Sequence, residues 1–114
     1  MECEEIRVDL RTIPHSADRQ RSAQLLFRLN HTLPFSEEYN ALLRELLGKN
    51  LGEGSTIAPP LSGAALDMLK IGRGVFVNSN LLAMARGGIT IGDHARIAAN
   101  VQLLSNNHDS YDLD

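Results

Sequence analysis

The chain of 114 residues has one cysteine, no tryptophan, two tyrosines and three phenylalanines. A lone Cys3 excludes an intrachain disulfide framework. So few aromatics leave a core of small and branched aliphatics, which suits thin, stacked architectures better than a bulky interior. Positive charge is also short. Eleven Lys and Arg against fourteen Asp and Glu give a net charge of -3. With no polybasic run, the chain lacks the electrostatic footprint of nucleic-acid binding or of attachment to anionic lipid. No apolar run approaches the ~20 residues of a membrane span. The acidic opening MECEEIRVDL lacks the apolar centre of a secretory signal, so the cytoplasm is the expected location. What remains, 43% hydrophobic and 22% charged, is an ordinary globular composition.

The first half carries a helical period. Ser16 or Asp18 is placed to cap a helix running to about Asn30, with Ala23, Leu25, Leu26 and Leu29 on its apolar side and Arg19, Arg21 and Arg28 in solvent. His31-Thr32-Leu33-Pro34 breaks it. A second helix starts at Ser36, with Glu37 and Glu38 where the helix dipole favours negative charge. Tyr39, Leu42, Leu43, Leu46 and Leu47 follow at amphipathic spacing, and Gly48 ends the helix. Residues 1–50 therefore read as a helical cap. A helix-turn-helix DNA reader fits the spacing but not the charge.

After Pro59-Pro60 that period stops. From Ile71 aliphatics recur every six positions: Ile71, Val77, Ala83, then Ile91, Ile97, Leu103. A second register holds Val75, Leu81, Ala95 and Val101. The two runs are offset by eight residues, which places a two-residue insertion in Ala85-Arg86-Gly87-Gly88. A six-residue period describes a three-sided coil with aliphatics inside and turn-prone residues at the corners. Gly72, Asn78, Gly92 and Asn100 are the expected corner residues, since Gly and Asn tolerate positive φ. An antiparallel sheet would show period two, which is absent. The prediction is a parallel β-helix over residues 51–114, with about two coils from Ile71 and a partial coil before them.

These residues, in order, resemble the galactoside and maltose O-acetyltransferases of the hexapeptide-repeat acyltransferase group. The resemblance covers roughly residues 18–114. It rests on Arg19, Asn30-His31, the helix ending at Leu47-Gly48, Pro59-Pro60, Ile71-Gly72, Val77-Asn78-Ser79-Asn80-Leu81, Ile89-Thr90-Ile91-Gly92-Asp93, Ile97-Ala98-Ala99-Asn100-Val101 and the loop Ser105-Asn106-Asn107-His108-Asp109. It implies a mainly β fold, a left-handed parallel β-helix behind a two-helix cap, assembled as a homotrimer with active sites between neighbours. The cosubstrate is acetyl-CoA, no cofactor is permanently bound, and the acceptor is a hydroxyl of a sugar or sugar-like molecule.

The resemblance assigns His108 as the general base. A hydroxyl is a poor nucleophile near neutral pH, and histidine, with an unperturbed pKa near 6.5, suits removal of its proton. Attack is then direct, without an acyl-enzyme on Cys3. Asn78 matches the acceptor-binding asparagine, although a corner asparagine can instead satisfy its own backbone. Asn80 and Asn100 read as structural corners. Three positions depart from the sugar-acetylating pattern. Leu10, beside Asp9, and Arg86 stand where carboxylates are expected, and Ala64, near Ser62, stands for a serine. Arg86 would suit an anionic or differently shaped acceptor; an exposed arginine is the simpler reading.

His31 reads as a cap of its helix, His94 as an outward corner residue, and His15 belongs to the unpatterned leader. No metal site is expected: a zinc enzyme needs three protein ligands, and only His94 and His108 lie in the repeat. The resemblance places the acetyl-CoA groove and its oxyanion N–H beyond residue 114, so the chain reads as C-terminally truncated. The alternative to an acetyltransferase is then an inactive remnant that associates through its open coil edge.

Overall fold

A computed structural model describes residues 16–105 and 111–113. Helix α1 (Ser16–Asn30) and helix α2 (Glu37–Leu47) come first, and one 3-10 turn (Gly48–Asn50) leads into the strands. Helix α1 starts at Ser16, so Asp18 lies in its first turn rather than at its cap. Ala23 is exposed, contrary to expectation; Leu25 and Leu29 alone are fully inside, and Leu26 is half-buried. Helix α2 follows the predicted pattern. Ser36 Oγ accepts the Tyr39 N–H, and all five apolar residues are buried. The cap residue Gly48 has φ 58°.

Nine short strands follow: β1 (Thr56–Ile57), β2 (Leu61–Ala64), β3 (Leu69–Ile71), β4 (Phe76–Val77), β5 (Leu81–Met84), β6 (Ile89–Ile91), β7 (Arg96–Ile97), β8 (Gln102–Leu104) and β9 (Tyr111–Leu113). They form three parallel three-stranded sheets, β1-β4-β7, β2-β5-β8 and β3-β6-β9. Every third strand returns to the sheet where the circuit began, so the chain winds as a three-faced coil. The step from Ile89 to its partner Tyr111 takes twenty-two residues; the others advance twenty: Thr56 pairs with Phe76 and Phe76 with Arg96, Leu61 with Leu81, Leu69 with Ile89. Three hexapeptides plus the two inserted residues give that length. The insertion recurs, because Ala65–Met68 of the first circuit matches Ala85–Gly88 of the second.

The first circuit corrects the sequence reading. Repetition begins at Leu51, which bridges to Ile71, so a whole circuit precedes Ile71 rather than part of one. Leu51-Gly52 stands twenty residues before Ile71-Gly72, as Ile57 does before Val77 and Leu61 before Leu81. The inward residues predicted from Ile71 onward stack, and Ile57, Leu61, Leu69 and Ile89, which the six-residue period does not mark, join them. Ile57 and Val77, Leu61 and Leu81, Leu69 and Ile89, and Ile71 and Ile91 are all buried, and Ile97 and Val101 pack against them half-buried. Full burial of such a side chain stabilises by about 1.5–3 kcal/mol. Helix and coil share one hydrophobic cluster, which runs from Leu25 to Leu103.

The corner residues also differ from expectation. Positive φ occurs at Gly54, Gly74 and His94, at Asn80 and Asn100, and at Ala65 and Gly88, so Asn80, His94 and Asn100 lie at corners as expected, whereas Gly72, Asn78 and Gly92 do not have positive φ. Gly72 is small for another reason: a Cβ there would lie 2.3 Å from Asp93 Oδ1, which accepts the Arg73 N–H at 2.8 Å. Among the described residues no helix is long and apolar enough to cross a membrane.

The cap is fastened to the coil by two polar contacts. Asn30 Nδ2 donates to Leu61 O at 2.7 Å, and Asn30 Oδ1 accepts the Leu61 N–H at 2.9 Å, so the amide pairs with β2 as another strand would. Tyr39 OH donates to the Ile57 carbonyl inside the core. Burial pushes this phenol from 10.0 up to about 12. The unfolded chain ionises first, so the contribution of neutral Tyr39 is whole below pH 10 and fades as pH rises toward 12. Over that window the loss is on the order of 3 kcal/mol. Urea denaturation at pH 9 and pH 11.5 should show a larger drop for the wild type than for Tyr39→Phe. Equal drops would remove Tyr39 as the cause.

Candidate active site

The β2-β5-β8 face lies between two corners, and the expected site residues divide between them. The first corner joins the β1-β4-β7 face to it through Ala58–Pro60, Asn78–Asn80 and Ala98–Asn100. Asn80 Nδ2 donates to Asn100 Oδ1 at 2.9 Å, and the Asn80 N–H donates to Pro60 O at 3.1 Å. These asparagines are the structural corners expected of them. Asn78 is exposed, and its Oδ1 accepts the Ser79 N–H at 2.7 Å. Its backbone N–H donates to Ile97 O at 2.9 Å. Its Nδ2 makes no hydrogen bond with the described residues. The local role of the amide oxygen is therefore filled, while the donor end remains available to a ligand.

The second corner joins β2 to β3, β5 to β6 and β8 to β9. Ala85 is fully buried, its N–H donating to Ala64 O at 3.0 Å, and the Gly88 N–H closes the turn onto Ala85 O at 2.8 Å. Arg86 projects from this turn, exposed. The Gly87 N–H donates to Ser105 O, and the Ser105 N–H donates to Met84 O at 2.8 Å. Ser105 is buried. It opens the connection from β8 to β9, which carries His108. His108 itself lies outside the described residues, as do Cys3, Asp9, Leu10 and His15. Ala64 ends β2 at this corner half-buried, and Ser62 is exposed on the same strand.

Between the corners the outward side of the face is unusual. On the other two faces outward positions are Thr56, Phe76 and Arg96, or Lys70 and Thr90. Here Ala64, Met84 and Leu104 form one outward ladder, with Leu82 beside it. Leu104 is 53% exposed, a large apolar side chain left facing outward. Ala64 and Met84 on the same ladder are half-buried. The sequence reading missed it, although the continuous apolar run Leu81-Leu82-Ala83-Met84 breaks the in-out alternation that would have shown it.

Comparison with known proteins agrees with this arrangement. No family model matches the chain. Galactoside O-acetyltransferase of Escherichia coli K12 is 32% identical over 91 residues, covering 79% of this chain and 44% of that protein. Nodulation protein L of Rhizobium leguminosarum bv. viciae is 35% identical, covering 82% of this chain and 53% of its own length. A hexapeptide-repeat-containing acetyltransferase of Vibrio cholerae O1 biovar eltor, solved in complex with acetyl coenzyme A, superposes with a TM-score of 0.69 at 29% identity, covering 80% of this chain and 49% of that one.

Over this shared span the chain is similar to the hexapeptide-repeat acetyltransferases.

It spans about half the length of the curated relatives it matches. Within this hexapeptide-repeat framework the remaining histidines are peripheral. His31 Nδ1 hydrogen-bonds to Phe27 O at 2.7 Å, and its ring stacks on Phe27 with centroids 4.1 Å apart, so it caps α1. His94 is exposed at the third corner, which joins β6 to β7. Among the described residues no three His, Cys, Asp or Glu side chains are grouped to hold a metal.

Proposed function

We propose that this chain is the N-terminal part of an acetyl-CoA-dependent O-acetyltransferase, a left-handed coil that works as a homotrimer in the cytoplasm. Residues 1–50 form its cap and residues 51–114 its coil. His108 is the general base and Asn78 orients the acceptor, a sugar or sugar-like alcohol.

One observation carries the reading. Asn78 and the root of the His108 connection sit at opposite edges of a single face, whose outer side carries the apolar ladder Ala64-Met84-Leu104 beside Ser62, Leu82 and Gln102. One coil cannot bring the two edges together. Three copies that turn this face toward a shared axis set the first corner of each against the second corner of the next. Burial of Leu82, Met84 and Leu104 would then drive the assembly that completes the site.

The chemistry follows from the residue types. The imidazole of His108 takes the proton of the acceptor hydroxyl as its oxygen attacks the thioester carbon of acetyl-CoA. The tetrahedral intermediate collapses with cleavage of the C–S bond, and the imidazolium returns the proton to the leaving sulfur. Asn78 Nδ2 donates to an oxygen of the acceptor and holds the reacting hydroxyl in line.

The test is release of free CoA thiol that depends on an added alcohol. Asn78→Ala and His108→Ala should each be weak alone. Mixed after unfolding and refolding together, they should recover roughly a quarter of wild-type activity, because random trimers then contain some sites with both residues intact. Trimeric mixtures without recovery would place the site within one copy. Absence of any alcohol-dependent thiol release would overturn the proposal.

A further inference from the structure

At the first corner, one peptide unit of the second circuit, Ser79–Asn80, is held on both sides. Its N–H, on Asn80, donates to Pro60 O of the first circuit at 3.1 Å. Its C=O, on Ser79, accepts the Asn100 N–H of the third circuit at 2.9 Å. The side chains repeat the upper link, because Asn80 Nδ2 donates to Asn100 Oδ1 at 2.9 Å. Just before this unit the Asn78 N–H donates to Ile97 O at 2.9 Å, and the Ser79 N–H donates to Asn78 Oδ1 at 2.7 Å. The third circuit therefore grips the turn at two points, Ile97 and Asn100. Asn78 and the N–H that holds its side chain lie between these anchors.

The bond from Ser79 sets the direction of the Asn78 carboxamide. With Oδ1 turned onto that N–H, the planar amide carries Nδ2 on its other edge, where a ligand can meet it. The direction holds only while Ser79 keeps its place. Asn78, Ser79, Asn80 and Asn100 are all exposed or half-buried, so water competes for each bond and several must act together to fix the turn. Asn100 supplies two of them. It sits at φ 65°, a left-handed conformation that glycine and asparagine tolerate and most side chains avoid. In that conformation its N–H meets Ser79 and its Oδ1 meets Asn80. We infer that Asn100 is a positioning residue for acetyl transfer: it acts through Asn78, fixing the turn so that Nδ2 faces the acceptor. This inference rests on the acetyl-transfer reading above, in which Asn78 orients the acceptor.

Three substitutions separate the amide of Asn100 from its dihedral. Asn100→Gly keeps the left-handed φ without strain and loses Oδ1. Asn100→Asp keeps an oxygen for Asn80 Nδ2 and tolerates that φ. Asn100→Ala loses the oxygen and strains the backbone. In acetyl transfer to methyl galactoside, Asn100→Gly and Asn100→Ala should raise KM for the galactoside about threefold to tenfold, the scale of one hydrogen bond between neutral groups. KM for acetyl-CoA should not move, and Asn100→Asp should rescue the galactoside KM. An unaltered galactoside KM in Asn100→Gly would overturn the inference. So would a rise confined to Asn100→Ala, which marks a dihedral role alone, or equal rises in both KM values, which mark general loosening. Hydrogen exchange at the Ser79 amide, followed by NMR on the full chain without substrate, reads the turn independently of transfer. Exchange should quicken in Asn100→Gly and stay slow in Asn100→Asp. Quickened exchange in a chain that transfers no acetyl group would sink the enzymatic reading and leave the hold on Asn78 standing. A Ser79 amide indifferent to Asn100 would overturn the inference whether or not transfer occurs.

Discussion

Replacing His108 with alanine is expected to lower alcohol-dependent CoA release by about 10²- to 10⁴-fold, the range that a positioned general base contributes. The size follows from the reaction. An alcohol keeps its proton near neutral pH, so direct attack on a thioester is slow unless the proton leaves as the C–O bond forms. The residual rate should no longer fall as acid protonates an imidazole, so the low-pH limb of the wild-type profile should flatten in the variant. Ser105, which opens the connection carrying His108, is pinned by backbone hydrogen bonds to Met84 and Gly87, and its position does not depend on the imidazole. Circular dichroism and thermal unfolding should therefore match the wild type. Cys3→Ser should leave the rate unchanged, because direct transfer needs no thiol; a loss there would point to an acyl-enzyme. A His108→Ala variant with undiminished turnover would remove His108 as the base.

The second and third circuits were legible because inward aliphatics recur at Ile71, Val77, Ala83 and again at Ile91, Ile97, Leu103, a period that neither helix nor flat sheet produces. The first circuit was not. Pro59-Pro60 reads as a break in any element, and the position twenty residues before Ala83 is Gly63, which carries no side chain to reveal an inward register. Corners misled for a related reason. Glycine and asparagine do mark turns, but Gly72 is small because the next circuit passes close above it, whereas the left-handed residue is Gly74 two positions on. Composition cannot separate steric demand from dihedral demand.

At the site the balance reverses. His108 and Asn78 were reached through resemblance, and nothing in their spacing tells that they belong to different corners. That fact needs the strand order, which places Asn78 before β5 and His108 after β8. The apolar ladder Ala64-Met84-Leu104 is spread over forty residues of sequence and meets only when circuits stack. Asn30 is hidden in the same way, since its partner Leu61 is thirty-one residues away.

The glycine that concealed the first circuit is also one whose replacement the fold resists on two counts. Gly63 pairs with Ala83 in the β2-β5 ladder at φ 150°, a conformation that residues with a Cβ avoid. A Cβ there would lie 2.0 Å from Ala83 O and 2.8 Å from Ala83 C. Both are backbone atoms, held at the strand spacing of about 4.8 Å by the parallel ladder, so neither can swing away as a side chain would. Relief requires separating the first circuit from the second, with loss of stacking between Leu61 and Leu81. Gly63→Ala should therefore cost at least about 3 kcal/mol, since it combines backbone strain with core disruption. For a domain of this size that lowers Tm by more than about 12 °C. Gly48→Ala supplies the comparison. Gly48 also has positive φ, at 58°, but its Cβ would meet nothing within 4 Å. At φ 58° and ψ -137° it lies outside the left-handed helical basin, so backbone strain of about 1–3 kcal/mol applies there, without any clash. Thermal unfolding followed by circular dichroism should rank Gly63→Ala well below Gly48→Ala. Equal losses would show that the circuits are not stacked in the Gly63–Ala83 register, and the pairing of corners on which the trimeric site depends would go with it.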